Sequence, residues 1–224
     1  MGSWQRYAAE AYGTFVLVLL GTGAILASGG DYLVIALAFG LALVAGLYTV
    51  GRVSGGHFNP AVSLGMFLDK RIGLNDLMAY WVAQLAGAVV ASLALAYLAS
   101  KAAVASTVTT LGGLEVFKGL LGEAILTAVF VMVILTVTKN GPSNAKFMGI
   151  GITLAVVHLA GIGFTGSSVN PARSFAPALV GGAWTDFWVY VVGPLVGAVI
   201  AWVLYKVIVT GDTNLMDDVK EMMD

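Results

Sequence analysis

The sequence predicts an all-α membrane protein: six transmembrane helices plus two re-entrant half-helices, arranged as an inverted repeat. Three observations carry this. The 224-residue chain is 59% hydrophobic and only 10% charged, whereas soluble domains carry about 25% charged residues. Its apolar residues fall into six runs long enough to cross about 30 Å of hydrocarbon, a distance that takes about 20 helical residues. The tripeptide Asn-Pro-Ala occurs twice, at Asn59-Pro60-Ala61 and Asn170-Pro171-Ala172, about half a chain apart.

The six runs lie near 5–27, 33–52, 78–99, 117–138, 147–164 and 187–209. The first follows Arg6 and resembles a signal peptide, but it continues to Ala27 with no convincing cleavage site and is read as a retained span. Two further apolar segments, 60–68 and 171–180, are too short to span. At about 1.5 Å of rise per residue each covers half a bilayer, as a re-entrant half-helix would. Asn59 and Asn170 are good N-caps, and Pro60 and Pro171 fall at the first helical position, where a missing N–H costs nothing. The segments before them, Ser54-Gly55-Gly56-His57-Phe58 and Gly166-Ser167-Ser168-Val169, are non-helical small-residue loops. Such backbone at membrane depth is tolerated only against protein or a water-filled cavity, so an aqueous path is already implied.

The repeat extends past the tripeptide. Glu10-Ala11-x-x-Thr14-x-Val16-x-Val18 matches Glu123-Ala124-x-x-Thr127-x-Val129-x-Val131, and Asn-Pro-Ala-x-Ser matches at 59–63 and 170–174. The chain reads as one transmembrane domain over 1–224, with repeats of about 1–112 and 113–212 and an acidic cytoplasmic tail over 213–224. Three spans per half is an odd number, so the halves enter from opposite sides and the functional site falls near the midplane. With the N-terminus inside, Arg6, Arg52, Lys70, Arg71, Lys139, Lys146, Lys206 and Lys220 are cytoplasmic, against Lys101, Lys118 and Arg173 outside. This asymmetry puts both termini in the cytoplasm. Small residues four apart, Ala42/Gly46, Ala83/Gly87/Ala91 and Gly193/Gly197, suit close helix contact.

Composition also excludes. There is no cysteine, which removes disulfides, thiolate metal sites and cysteine nucleophiles, and two histidines are too few for a histidine-rich metal site. The net charge of −1 and the lack of a Lys/Arg cluster give no sign of nucleic-acid binding.

Two Asn-Pro-Ala motifs in an inverted six-span repeat resemble the aquaporin (major intrinsic protein) family, from Glu10 to about Tyr205. The resemblance implies a right-handed six-helix bundle, half-helices meeting head to head, and a homotetramer with a pore in each protomer. It implies a passive water channel of the plasma membrane, no enzyme and no cofactor. The two helix N-termini would each place about +0.5 charge at the centre, against cations and hydronium. Asn59 and Asn170 would donate to a passing water, and the carbonyls of Gly55, Gly56, His57, Gly166, Ser167 and Ser168 would offer acceptors along the path.

The repeat breaks where Val62 in the first copy becomes Arg173 in the second. A lone arginine at membrane depth is a functional-site hypothesis by default. The resemblance gives it an outer constriction shared with Phe39, His158 and Ser167, a set similar to the water-selective filter. The glycerol-conducting branch typically has glycine at the place of His158 and aspartate at that of Ser174. Taken alone, a buried histidine or phenylalanine is more often structural. The resemblance also makes Glu10 and Glu123 braces for the two loops, and His57 a pore histidine on the cytoplasmic side. One departure is Val191, which stands where tryptophan is typical at a position supporting the outer filter. Pro142 reads as a plain turn. The alternatives are a pore that also passes glycerol, ammonia or hydrogen peroxide, an intramembrane serine protease built on Ser54 and His57, and a structural junction protein.

Overall fold

The computed structural model describes residues 2–140, 143–212 and 214; Pro142 and the acidic tail, apart from Asn214, lie outside the described residues. Nine α-helices occur in the order α1 (Ser3–Ala27), α2 (Tyr32–Ser54), α3 (Pro60–Leu68), α4 (Leu74–Leu98), α5 (Lys101–Ala105), α6 (Val116–Val137), α7 (Asn144–Thr165), α8 (Pro171–Gly181) and α9 (Val189–Leu204), with no strand among the described residues. A π-helical stretch, Tyr205–Thr210, extends α9. Among the described residues six helices are long and apolar enough to cross a membrane: α1, α2, α4, α6, α7, and α9 with its extension.

The six spans lie where hydropathy predicts them, with one informative shift. α4 starts at Leu74, four residues before the apolar run. Its first turn holds Asp76, which takes a bidentate ion pair from Arg6 at 2.9 and 3.0 Å and a hydrogen bond from Tyr7. This polar first turn is invisible to a hydropathy reading. α5 was not expected; Ser100 caps it by accepting from the Ala103 N–H at 3.0 Å, and it packs on α8.

Both short helices form as predicted. The Asn59 side chain accepts from the Ala61 N–H at 2.9 Å, and Asn170 accepts from Ala172 and Arg173 at 3.0 and 3.3 Å. Proline occupies the first position of each. α3 runs back toward the side that holds the N-terminus, where Arg71 ties it to α6 and the end of α9. α8 runs back to the opposite side, against α5.

The bundle closes through the pairs α1–α2, α1–α4, α2–α7 and α6–α9. Glycine marks the closest crossings. A methyl at Gly87 of α4 would overlap the Ala11 carbonyl of α1, and one at Gly197 of α9 would overlap the Ala124 carbonyl of α6. One at Gly193 would stand 2.7 Å from Glu123 Cβ. In a bilayer the solvent is itself apolar, so association rests on such close packing. Gly87→Val is therefore expected to push α1 and α4 apart and cost about 1–3 kcal/mol or more, read as a lower thermal unfolding midpoint in detergent.

Candidate functional site

The two non-helical loops, 55–59 and 166–170, meet at the centre of the bundle. Each asparagine reaches across: Asn59 Nδ2 donates to the Val169 carbonyl at 2.7 Å, and Asn170 Nδ2 donates to the Phe58 carbonyl at 2.9 Å. The exchange requires both carbonyls to be turned by left-handed backbone, with φ of 50° at Phe58 and 46° at Val169. That conformation is costly for a side-chain-bearing residue, most of all a β-branched one, and persists only where surrounding contacts over-determine it. An amide nitrogen carries two hydrogens, so one on each asparagine remains beyond this exchange.

The over-determination comes from two buried carboxylates. Glu10 accepts from Ser54 Oγ at 2.6 Å, the His57 N–H at 2.9 Å, the Phe58 N–H at 2.7 Å and Gln84 Nε2 at 2.8 Å. Glu123 accepts from Thr165 Oγ1 at 2.6 Å, the Ser168 N–H at 2.9 Å and the Val169 N–H at 2.8 Å. Tyr80 and Tyr190 repeat the pattern by donating to the Ser54 and Thr165 carbonyls at 2.7 and 3.0 Å. The Ser54 hydroxyl goes to Glu10, and the His57 ring is bonded through Nδ1 to Ser63 at 3.0 Å. Ser54 and His57 therefore do not pair with each other. Among the described residues no donor reaches the carbonyls of Gly55, Gly56, His57, Gly166, Ser167 or Ser168, which leaves them able to accept from water.

Three cavities line up through this junction. A cavity of about 290 Å³ on the side away from the N-terminus is walled by segment 106–112, Tyr32, Phe164 and Arg173. A central one of about 10 Å³ is bounded by Leu17, Phe39, Leu43, His57, Asn59, Phe130, Leu154, His158, Ser168, Asn170 and Arg173. A third, of about 190 Å³, is walled by Ser54, Gly55, His57, Met66, Arg71, Ile72 and Thr138. Arg173 belongs to the first two and His57 to the last two. A cavity needs about 10–15 Å³ of this measure to hold one water, so the central cavity has room for about a single water.

At its narrow end Phe39 and His158 stack with ring centroids 4.5 Å apart, and Arg173 Cζ stands 5.1 Å from the Phe39 centroid. His158 Nδ1 faces the Leu154 carbonyl at 3.0 Å and so must carry a hydrogen, while its Nε2 has no protein partner. Among the described residues Arg173 has no carboxylate partner; its Nη1 donates to the Thr107 carbonyl at 3.2 Å and its buried Nε is unpartnered. Phe39, His158 and Arg173 are thus brought together at one end of the central cavity. Ser167 is not on the wall with its side chain. Its fully buried hydroxyl donates to the Val157 carbonyl of α7 at 3.3 Å, because φ of 47° turns the residue toward that helix.

Val191 does not line the central cavity either. With Trp81, Leu85, Phe175, Phe187 and Leu195 it surrounds a separate apolar cavity of about 160 Å³ that backs onto Pro60 and Pro171. Some contributors were not foreseen from the sequence: Gln84, Tyr80 and Tyr190, Thr107 and Thr109, and Arg71 at the inner cavity. The repeat register could have found part of the wall. Leu17 and Phe130 are equivalent in the alignment that pairs Glu10 with Glu123, and Leu43 and Leu154 in the one that pairs Asn59 with Asn170.

Replacing either bracing carboxylate by its amide would set an NH2 group against N–H donors. Glu10→Gln and Glu123→Gln are each expected to lose at least one charge-assisted hydrogen bond, about 1.5–3 kcal/mol. The measurement is a lower unfolding midpoint in detergent, and Glu10→Asp should not restore it because the carboxylate falls short of the loop.

The profile of the Major intrinsic protein family matches residues 1–205. The chain is 44% identical to "Glycerol uptake facilitator protein-like 6" of Lactiplantibacillus plantarum, over 88% of this chain and 94% of that one. It is 42% identical to Aquaporin Z of Brucella melitensis, over 90% and 96%. Among solved structures it is similar to the aquaglyceroporin from Plasmodium falciparum, with a TM-score of 0.85, 27% identity, and coverage of 94% and 98%. By that match, and by the fold and loop junction described above, the chain belongs to the major intrinsic protein family and is a multi-pass membrane channel protein.

Proposed function

We propose that the chain is a passive channel that conducts water down an osmotic gradient and excludes protons and ions. The observation that carries this is the central cavity of about 10 Å³ closed by Phe39, His158 and Arg173. Water has a single oxygen and fits through it; glycerol needs an opening for three carbons and three hydroxyls. The apolar faces of Leu17, Leu43, Phe130 and Leu154 oblige a passing water to find its partners at the asparagines and the loop carbonyls. Water thereby moves in single file, exchanging one hydrogen bond for the next with little loss.

Ion exclusion has two sources. A cation that enters the constriction loses its hydration shell and meets the guanidinium of Arg173, which bears no neutralising carboxylate contact. At the junction it meets two helix N-termini, each equivalent to about +0.5 charge. Opposed half-helix dipoles and a fixed arginine are the accepted barriers in aquaporin-type pores. Sites of this kind need no metal, cofactor or nucleophile, and we assign the chain no reaction.

The name of the relative from Lactiplantibacillus plantarum favours a second reading, a pore that also passes glycerol. The stacked Phe39 and His158 rings argue for water as the principal substrate. We further infer a homotetramer in the plasma membrane with both termini cytoplasmic. The Lys and Arg distribution supports the orientation, since Arg6, Arg52, Lys70, Arg71, Lys139 and Lys206 lie on one side of the fold and Lys101, Lys118 and Arg173 on the other.

Stopped-flow light scattering on reconstituted vesicles tests the proposal. Osmotic water flow should exceed that of empty vesicles many-fold, with glycerol entry near the empty-vesicle rate; equal rates for the two would refute water selectivity. His158→Gly should raise glycerol permeability about ten-fold or more, the scale on which a pocket discriminates by size. Arg173→Val should admit protons or monovalent cations, seen as dissipation of an imposed pH gradient, and a variant as tight as the wild type would remove Arg173 from its assigned role.

A further inference from the structure

Arg173 is 3% exposed and can donate five hydrogen bonds, yet among the described residues its guanidinium makes one, to the Thr107 carbonyl at 3.2 Å. The position of the charge at the constriction therefore depends on where segment 106–114 holds that carbonyl. This segment is irregular and contains Gly112 and Gly113 in left-handed conformation. Among the described residues two hydrogen bonds join it to α8. One is the arginine contact itself. The other runs from Thr109 Oγ1 to Ser174 Oγ, at 2.8 Å, between side chains 2% and 1% exposed.

The second bond belongs to a longer chain of hydroxyls. Ser174 Oγ is 2.6 Å from Ser168 Oγ, and Ser168 Oγ is 3.0 Å from the Asn170 carbonyl. The carbonyl can only accept, and each hydroxyl has one hydrogen to give. That fixes the direction: Thr109 donates to Ser174, Ser174 to Ser168, and Ser168 to the Asn170 carbonyl. Every hydrogen is placed, and the chain ends on the backbone of the second pore asparagine. Thr109 and Thr107 are two apart on the loop, and Ser174 and Arg173 are adjacent on α8. The two bonds form a two-point clamp, of which one point carries the pore charge.

We infer that Thr109 and Ser174 are positioning residues that set the cross-section of the constriction by holding the Thr107 carbonyl, and with it Arg173, at a fixed distance from Phe39 and His158. This rests on the channel reading of the same site. Without the Thr109–Ser174 bond, the one direct hydrogen bond left between segment 106–114 and α8 among the described residues is the arginine's, and Thr107 is otherwise tied back only to Val104 of α5, at 3.0 and 2.8 Å. The guanidinium then follows its single acceptor outward, and the opening widens.

Two measurements test this. In vesicles, Thr109→Val should lower the ratio of water to glycerol permeability about five-fold, the equivalent of one net hydrogen bond, and Thr109→Ser should restore it. Ser174→Ala, which also removes the bond to Ser168, should lower the ratio at least as far, and the double variant should be no worse than Ser174→Ala alone, as expected of partners in one contact. Additive losses, an unchanged ratio, or failure of Thr109→Ser to rescue would overturn the inference. The second measurement does not depend on the transported solute. The chain has no cysteine, so Thr110→Cys gives a unique site for a nitroxide on the exposed part of the segment. Its electron paramagnetic resonance spectrum should sharpen in Thr109→Val and in Ser174→Ala and broaden again in Thr109→Ser. An unchanged spectrum would show that the bond does not hold the segment. A wild-type chain that passes glycerol as readily as water would refute the water-selective reading and leave this arm standing.

Discussion

Asn59 and Asn170 each hold the opposite loop, and the rest of the structure follows from that exchange. Each side chain does two things at once. Its oxygen caps its own half-helix, and its nitrogen supplies a donor to a carbonyl of the other half. Backbone at this depth has no water to fall back on except in a pore, so every group must find protein or face the lumen. Glu10 and Glu123 satisfy the N–H groups, the asparagines satisfy one carbonyl in each loop, and the remaining carbonyls are left for the lumen. A path lined with acceptors is thus what remains when two broken helices are closed against each other.

Much of this was legible in the chain. Spans, half-helices, caps and the paired glutamates all depend on local pattern or on the internal repeat, and both are one-dimensional signals. What escaped depends on packing between distant segments. α5 is five residues long and leaves no periodicity. The first turn of α4 is polar because Asp76 faces Arg6, 70 positions away. The resemblance put Ser167 on the wall, but the left-handed backbone at that residue sends its hydroxyl to α7. Val191, read as a support of the outer filter, lines an apolar cavity behind the half-helices, a second apolar surface that no linear pattern separates from the first.

The repeat also shows where symmetry ends. Glu10 and Glu123, Tyr80 and Tyr190, Leu17 and Phe130, and Leu43 and Leu154 are equivalent pairs in equivalent roles. The constriction is not. In repeat register Phe39, His158 and Arg173 answer to Ile150, Leu47 and Val62, all buried and all aliphatic. The scaffold and the greasy walls are built twice, while the polar discriminating end is built once. One half of the inherited frame was free to stay a plain apolar corner, and the other acquired a ring stack and a charge.

The crossed asparagine contacts have a consequence for how the chain is made. When the first 112 residues have left the ribosome, the Phe58 carbonyl and the Asn59 amide still lack the partners that residues 166–170 will bring. Sunk in lipid alone, each would carry the penalty of an unpaired polar group. Each of these groups is thus satisfied only once both halves are in place. Completion of the pore is the joining of two half-proteins, neither of which can close its own broken helix alone.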